Sequence, residues 1–218
     1  MVAAVASAQM RLYDHPASAN CMKARIALRQ LELPYERVTV DLFARETRTP
    51  EHMARNPDGR VPVLELDSGA MLPESGAILL YLAEGTPLLP DDRLARAVVH
   101  QWLFFEQNQI ESSLAVARFL ALTGRGEKYH EVMQSLVARG HGALSSLARG
   151  LADDRPFVSG EAYTVADIAL YAYVHCAHDV GADAREHGTI GGWLDRVEAT
   201  PGFENDLEPF PPHAMAAS

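Results

Sequence analysis

The chain of 218 residues is 48% hydrophobic and 22% charged, which is typical of a folded protein with room for one large or two smaller domains. Its formal net charge of -10 argues against a nucleic acid or an anionic membrane as the main partner, because both require a basic surface. No run reaches membrane-spanning length, and the start of the chain lacks the basic residues and apolar core of an export signal. Cys21 and Cys176 lie far apart, which favours a reduced, cytoplasmic setting, with a disulfide between them as the alternative.

Helical and strand patterns alternate up to residue 84. The predicted elements are strand 10–14, helix 19–31, strand 35–40, a short helix from Thr49-Pro50, strand 61–66, strand 71–72 and helix 75–84. The first three form a βαβ unit, which implies a right-handed crossover and parallel strands. We therefore expect a βαβαββα domain over residues 10–84.

The chain changes character after the Gly- and Pro-containing stretch 85–90. The predicted elements are then one long helix 91–122, a helix 127–149, a helix 168–174 preceded by a capping pair Thr164 and Asp167, and a short helix 191–199. This order predicts an all-helical domain over 91–208, and the tail 209–218 is expected to be loosely held. The fold class is thus α/β followed by an all-α helical bundle.

Ser18 stands where the first predicted strand gives way to the first predicted helix. Its hydroxyl and the positive end of the helix can together bind an anion. A serine at a helix start more often only caps a backbone N–H. The sequence leaves both interpretations open.

Two further signals lie near predicted element starts. Val61-Pro62 precedes a strand, and a cis bond there would turn the Val61 backbone groups toward a peptide-like ligand, although a trans bond is the commoner state of an X–Pro pair. Glu74-Ser75 begins a helix, where Ser75 can act as N-cap and carboxylate site while Glu74 holds an ammonium. Together they suit an amino-acid head group.

The order of three motifs resembles the glutathione transferase superfamily. The motifs are N-P-x-G-x-V-P at 56–62, E-S-x-A-I at 74–78 and the stretch 159–168, and the resemblance covers residues 10–205. The stretches 15–18, 49–52 and 102–106 are similar to the serine-type phi class and its bacterial relatives. The resemblance implies a thioredoxin-like first domain followed by a helical one.

Glutathione is the ligand that this resemblance implies, as co-substrate and without a further cofactor. Ser18 matches the position whose hydroxyl stabilises the glutathione thiolate. The implied glutathione-binding residues are Val61 with Pro62 for the cysteinyl unit, Glu74 and Ser75 for the γ-glutamyl group, and Arg48 and Arg60 for the glycine carboxylate.

Asn20 and Cys21 compete with Ser18 for the catalytic role. Asn20 lies at the helix start and is assigned a secondary thiolate contact, as in some bacterial relatives. Cys21 is similar to the cysteine of glutathione-dependent oxidoreductases, but it lies three residues beyond the matched position, so a small buried residue is the favoured interpretation.

The electrophile pocket is expected against the helical domain. Its proposed lining is Tyr13, His15, Trp102, Phe105 and Gln109, residues that core or dimer packing explains equally well. A metal site is not expected, because His175 and His178 have no third ligand at suitable spacing and Glu111 and Asp183 have no recognisable carboxylate partner.

We therefore expect a cytoplasmic, homodimeric glutathione transferase that conjugates glutathione to small hydrophobic electrophiles, a detoxification reaction. A peroxidase or disulfide reductase that uses the same thiolate is one alternative. A non-catalytic binding or regulatory protein is the other, and the complete set of glutathione-binding residues argues against it.

Overall fold

The computed structural model describes residues 10–151 and 155–215. The first half contains a four-stranded sheet and three α-helices. Its elements are β1 (Met10–Asp14), α1 (Ala19–Gln30), β2 (Tyr35–Thr39), a 3₁₀ turn (Glu46–Arg48), α2 (Pro50–Arg55), β3 (Val63–Glu65), β4 (Met71–Pro73) and α3 (Ser75–Ala83). The sheet order is β2-β1-β3-β4, with β1 and β2 parallel and the other pairs antiparallel. The expected thioredoxin-like βαβαββα order is confirmed.

Two details at the element starts differ from the sequence expectation. The strand expected from residue 61 begins at Val63, because Val61 and Pro62 precede the ladder and are joined by a cis peptide bond. The expectation that Ser75 is an N-cap is wrong. Ser75 is the first helical residue of α3, and the cap position belongs to Glu74, whose side chain makes no capping hydrogen bond.

The second half is helical. Its elements are α4 (Arg93–Phe105), a π-helical segment (Glu106–Ala115), α5 (Val116–Leu122), α6 (His130–Gly150), 3₁₀ turns at Ala177–Val180, Ala184–Glu186 and Pro212–Met215, α7 (Val165–Val174) and α8 (Ile190–Glu198). The stretch expected to form one long helix over 91–122 follows a continuous helical path. The expectation of a single α-helix is wrong for its middle, where ten residues adopt π-helical geometry.

The core lies between α1, α3 and the helices of the second half, and α7 is buried along its whole length. The capping box that begins α7 is formed as expected. The Asp167 carboxylate accepts hydrogen bonds from the Thr164 backbone N–H at 2.9 Å and from the Trp193 indole at 2.9 Å. Asp167 therefore ties α7 to α8, which is a structural role.

The tail is not loosely held in its described part, so that expectation is wrong. Within the tail, the Phe210 ring packs against Phe43 at 5.4 Å and against Phe119 at 6.3 Å between ring centroids. The residues just before the tail are also anchored, because Arg25 donates through Nε to both Asp206 carboxylate oxygens at 2.9 Å and the Glu208 N–H donates to the Pro16 carbonyl at 3.2 Å. Ala214 is completely buried. The part of the expectation that concerns residues 216–218 lies outside the described residues.

Among the described helices, none has the length and apolar content needed to cross a bilayer.

Candidate functional site

Ser18 has the capping role that its position suggested and keeps a hydrogen that it can donate. It is the N-cap of α1, with extended backbone, and its Oγ accepts a hydrogen bond from the Cys21 N–H at 3.3 Å. A hydroxyl that accepts one bond still has its own hydrogen to donate. Ser18 is half-buried at the positive end of α1, so it can cap the helix and donate to an anion at the same time.

A small cleft lies between the two halves of the molecule, beside the start of α1. Its lining residues are Asn20, Asn56, Arg60, Val61, Pro62, Glu74, Ser75, Gln107 and Glu111. Six of them were expected in a glutathione site from the sequence, and they come from three separate stretches of the chain. Ser18 and Arg48 are not part of this lining.

Val61 presents unused backbone groups to the cleft. Within the described residues, neither its N–H nor its carbonyl has a hydrogen-bond partner. The preceding turn is held firmly, because buried Asn56 donates through Nδ2 to the Arg60 carbonyl at 3.1 Å and the His52 ring contacts the same oxygen at 3.0 Å. Val61 is therefore a fixed backbone donor and acceptor for a peptide-like ligand.

Glu74 places an exposed carboxylate at the mouth of the cleft. Its φ of 72° lies in the region that favours glycine, although the residue has a long side chain. Backbone strain of this kind costs roughly 1–3 kcal/mol and concentrates at functional sites. The neighbouring Ser75 is buried, and its hydroxyl donates to Asn20 Oδ1 at 3.4 Å.

The two candidate arginines lie on different turns, because Arg48 ends the 3₁₀ turn before α2 and Arg60 directly precedes Val61. The Arg48 guanidinium donates to the Asp58 carbonyl at 3.0 Å, and the exposed Arg60 guanidinium pairs with the Asp58 carboxylate at 2.8 Å. Arg60 lines the cleft, whereas Arg48 does not. Both remain available to a carboxylate, but Arg60 is the better placed.

The residues expected to form the electrophile pocket do not form one wall. Tyr13 belongs to a separate small cluster, where its hydroxyl donates to Glu65 at 2.8 Å and the Arg55 guanidinium covers its ring. Trp102 is buried in the main core against Phe105, at 5.3 Å between ring centroids. Gln109 is exposed and donates to Asn108. The apolar spacing in this helix thus reflects core packing.

His15 alone of that set joins an aromatic row on the other side of the Ser18 loop. Its ring meets Phe43 at 5.6 Å, Phe43 meets Phe210 at 5.4 Å, and Phe210 meets Phe119 at 6.3 Å. Burial lowers the pKa of His15, so its ring is neutral at physiological pH. The sequence carried no signal for this row, because its members come from a loop, a helix and the tail.

Cys21 and the histidine pair have structural surroundings. Cys21 is completely buried, and burial raises the pKa of its thiol well above the ordinary range. The His175 ring stacks on Tyr171 at 4.6 Å, and burial lowers its pKa to about 4. In the described part of the chain, no group of three or more His, Cys, Asp or Glu side chains is arranged to hold a metal ion.

Three charged residues at and behind the cleft were not expected from the sequence to form a group. Lys23 is buried in α1 and pairs with Glu106 at 2.8 Å and Glu111 at 3.5 Å. From the sequence, Glu111 had no recognisable partner. The partner lies 88 positions away, and only the fold brings the two together.

Comparison with known proteins agrees with this geometry. Residues 8–84 match the family model of the glutathione S-transferase N-terminal domain. Maleylacetoacetate isomerase of Rhizobium meliloti (strain 1021) is 39% identical over 177 residues, which are 76% of this chain and 80% of that protein. The crystal structure of a glutathione S-transferase from Pseudomonas fluorescens Pf-5 is 41% identical, with a TM-score of 0.88 and coverage of 92% of this chain and 100% of that one.

The chain belongs to the glutathione transferase superfamily. Enzymes of this family use glutathione as a substrate rather than as a bound cofactor, so a glutathione-dependent enzyme is the class that fold and site define. The finer likeness to the phi class has weaker support. Glutathione S-transferase F12 of Arabidopsis thaliana is 25% identical over 206 residues, which are 89% of this chain and 95% of that protein.

Proposed function

We propose that this protein binds glutathione in the cleft, lowers the pKa of its thiol and transfers the sulfur to a small hydrophobic electrophile. The observation that carries the proposal is the unpaired Val61 backbone beside Glu74 and Ser75 in one cleft. This arrangement offers strand-like hydrogen bonds to the cysteinyl unit and polar partners to an amino-acid head group. Arg60 then faces the glycine carboxylate at the opposite end.

The chemistry is stabilisation of an anion. A free thiol has a pKa near ~8.5, so lowering it by about two units makes the thiolate dominant at neutral pH and corresponds to roughly 2.7 kcal/mol of preference for the anion. Ser18 supplies a donated hydrogen bond and α1 supplies its dipole. Ser18 does not itself attack the substrate. The nucleophile is the sulfur of glutathione.

Replacement of Ser18 tests this assignment. We expect Ser18→Ala to raise the thiol pKa of bound glutathione and to lower kcat at pH 7 by about tenfold or more, with glutathione affinity nearly unchanged. Titration of the thiolate absorbance in the binary complex measures the pKa directly. Ser68→Ala, an exposed hydroxyl in the turn before β4, serves as the control. An unchanged thiol pKa in Ser18→Ala would move the role to Asn20.

A second candidate is glutathione-dependent isomerisation, which the 39% identity to maleylacetoacetate isomerase favours. Thiolate addition to a conjugated double bond, rotation and expulsion of the sulfur would use the same cleft. The two reactions differ in their balance, because conjugation consumes glutathione and isomerisation regenerates it. Measuring free thiol during turnover of a dienoic acid and of an aryl halide separates them.

The other two alternatives are tested in the same assays. A disulfide reductase or peroxidase would rely on the glutathione thiolate, since burial keeps the Cys21 thiol protonated. A binding or regulatory protein would hold glutathione without turning over any electrophile, disulfide or peroxide. Free cysteines at both positions fit the proposed cytoplasmic location.

We further propose that two copies of the chain pair through α3 and α4. Large apolar side chains are exposed there, with Tyr81 at 52%, Leu94 at 74% and Phe104 at 73% exposure. Exposed aromatic and aliphatic residues on adjacent helices are typical of an interface between subunits. The proposed pairing does not depend on the identity of the electrophile or of the physiological reaction.

A further inference from the structure

A buried group of charges lies directly behind the glutathione cleft. The Lys23 side chain is 1% exposed and the Glu106 side chain 4%, and their ionic groups are 2.8 Å apart. Glu111 lies between them and the cleft, with its Oε2 3.5 Å from the Lys23 ammonium and its side chain 17% exposed. Burial of such charges is unfavourable unless they are paired, so the group requires an explanation.

The π-helical segment is what brings the two carboxylates onto one lysine. Glu106 and Glu111 are five positions apart, and in an α-helix residues at that spacing point about 140° away from each other. In a π-helix the repeating hydrogen bond runs from i to i+5, so residues at that spacing lie on nearly the same face. The irregular geometry therefore has a definite consequence, since it directs both carboxylates toward α1.

Glu111 faces one cation, one further carboxylate and one phenol among the described residues. These are Lys23 of α1, Glu106 of the same π-helical segment and the buried Tyr173 of α7, whose ring lies 5.3 Å from the Lys23 ammonium. Burial raises the pKa of Tyr173, so this phenol is neutral. Burial also raises the pKa of Glu106 to about 7, against the opposing effect of Lys23. Glu111 is the carboxylate of this group that reaches the lining of the cleft.

The free oxygen of Glu111 fixes the amide of Asn20. Asn20 donates through Nδ2 to Glu111 Oε1 at 3.0 Å, and the Ser75 hydroxyl donates to Asn20 Oδ1 at 3.4 Å. Glu111 Oε1 accepts this bond, so the nitrogen end of the Asn20 amide faces Glu111. One of the two Nδ2 hydrogens is used in this bond, and the other remains for a ligand in the cleft.

We propose that Glu111, anchored by Lys23, is a positioning residue that locks the Asn20 amide so that Asn20 donates its second N–H to the sulfur of bound glutathione. This inference rests on the proposed function, since it describes the same site. It goes beyond it by assigning a role to a buried ion group that is neither a cap nor a direct ligand. Glu111 acts only through Asn20.

Glu111→Gln is the central test, because glutamine has the same shape and both donates and accepts. The Asn20 amide then loses its fixed orientation. We expect the thiol pKa of bound glutathione to rise by about 0.5–1 unit and kcat at pH 7 to fall about five- to tenfold, while glutathione KM changes less than threefold. Glu36→Gln, an exposed carboxylate on β2 that pairs with Arg11, is the matched control and leaves all three values unchanged.

A double-mutant cycle separates positioning from general support of the fold. Asn20→Ala should raise the thiol pKa by the same amount as Glu111→Gln, and the double variant should raise it no further. Additive shifts would overturn the inference, because they would mean that Glu111 acts independently of Asn20. Wild-type thiol pKa in a folded Glu111→Gln would overturn it as well.

The double variant Asn20→Asp with Glu111→Gln, called the exchanged pair, provides the test if Glu111→Gln alone does not fold. The exchanged pair keeps one amide-to-carboxylate hydrogen bond but leaves no N–H at position 20, so the thiol pKa should stay raised while the protein folds. A wild-type thiol pKa in the exchanged pair would contradict the inference. Failure of the unmodified protein to bind glutathione in calorimetry would instead refute the proposed function, so the two failures are distinguishable.

Discussion

Glu74 lines the cleft in a backbone conformation that destabilises the folded state. Its backbone occupies a glycine-favoring region, and its side chain caps nothing and stands exposed at the cleft. The conformation is retained at a cost of roughly 1–3 kcal/mol. We propose that this carboxylate binds an ammonium, because it is exposed and makes no capping hydrogen bond.

Glycine at position 74 should therefore separate stability from function. We expect Glu74→Gly to raise the free energy of unfolding by about 1 kcal/mol, or to leave it unchanged where added chain entropy offsets the relieved strain. Glutathione KM should rise about tenfold, the loss of one charged contact. Urea unfolding and initial-rate kinetics measure the two effects. A glutathione KM equal to the wild-type value would remove Glu74 from the site.

The residues in and around the candidate site differ in whether the sequence indicates them. Local sequence indicated Ser18, the Val61-Pro62 pair and Glu74, because each lies at an element start where its chemistry is visible from its neighbours. Lys23 and Glu111 were not found, because a lysine within a helical pattern is expected to be solvated. Their pairing depends on the packing of α1 against the π-helical segment.

Among the helices, α7 couples protonation to stability at its last turn. His175, the half-buried C-cap of α7, stacks on Tyr171, and its ring contacts the Tyr171 carbonyl at 2.8 Å. Burial lowers the pKa of His175 to about 4, below its ordinary value of 6.5. The folded state thus binds fewer protons than the unfolded state between these values, so this residue contributes stability above pH 6.5 that is lost as the pH falls toward 4.

His175→Gln should reduce this acid sensitivity. Glutamine retains an N–H donor and does not titrate, so the difference in unfolding free energy between pH 7 and pH 5 should be smaller by roughly 2 kcal/mol than in the wild type. Urea unfolding at both pH values gives the comparison. His178→Gln is the control, because His178 is exposed. Equal pH dependence in His175→Gln and the wild type would contradict the assignment.

Element types were predictable from periodicity, but helical geometry was not. The apolar spacing from Leu94 to Ile110 correctly indicates a long helical path. The π-helical segment within it involves Ser112 and Ser113, whose hydroxyls donate to carbonyls four residues earlier. This segment carries Glu106 and Glu111, which meet Lys23 across the two halves, a contact that no local pattern contains.

At the scale of the whole molecule, the segment 206–215, which includes the described part of the tail, joins the two halves around the Ser18 loop. Arg25 is completely buried, contacts Asp14 at the end of β1, donates to the Pro16 carbonyl and holds Asp206 of this segment. The proline-rich, polar sequence of the tail gave no sign of this, because its anchors are charged groups distant in sequence. The tail then carries Phe210 onto Phe43 and Phe119.

We therefore expect Phe210 to shape the part of the site that binds the electrophile. It bridges a loop of the first half and a helix of the second, and the Arg118 guanidinium lies 5.3 Å from its ring centroid. Phe210→Ala removes this bridge and widens the aromatic row that begins at His15. We expect electrophile KM to change at least fivefold, with bulky aromatic substrates favoured over small ones, and the unfolding free energy to fall by about 1–3 kcal/mol.

Glutathione binding provides the internal reference for this prediction. The cleft around Val61 and Glu74 shares no residue with the aromatic row, so glutathione KM and the bound thiol pKa should remain at wild-type values in Phe210→Ala. Tyr129→Ala, which removes an exposed ring just before α6, controls for loss of aromatic surface. Unchanged electrophile selectivity in Phe210→Ala would place the second substrate elsewhere. Parallel changes in both KM values would instead mean that the tail supports the Ser18 loop, through Arg25 and Pro16, more than it contacts the substrate.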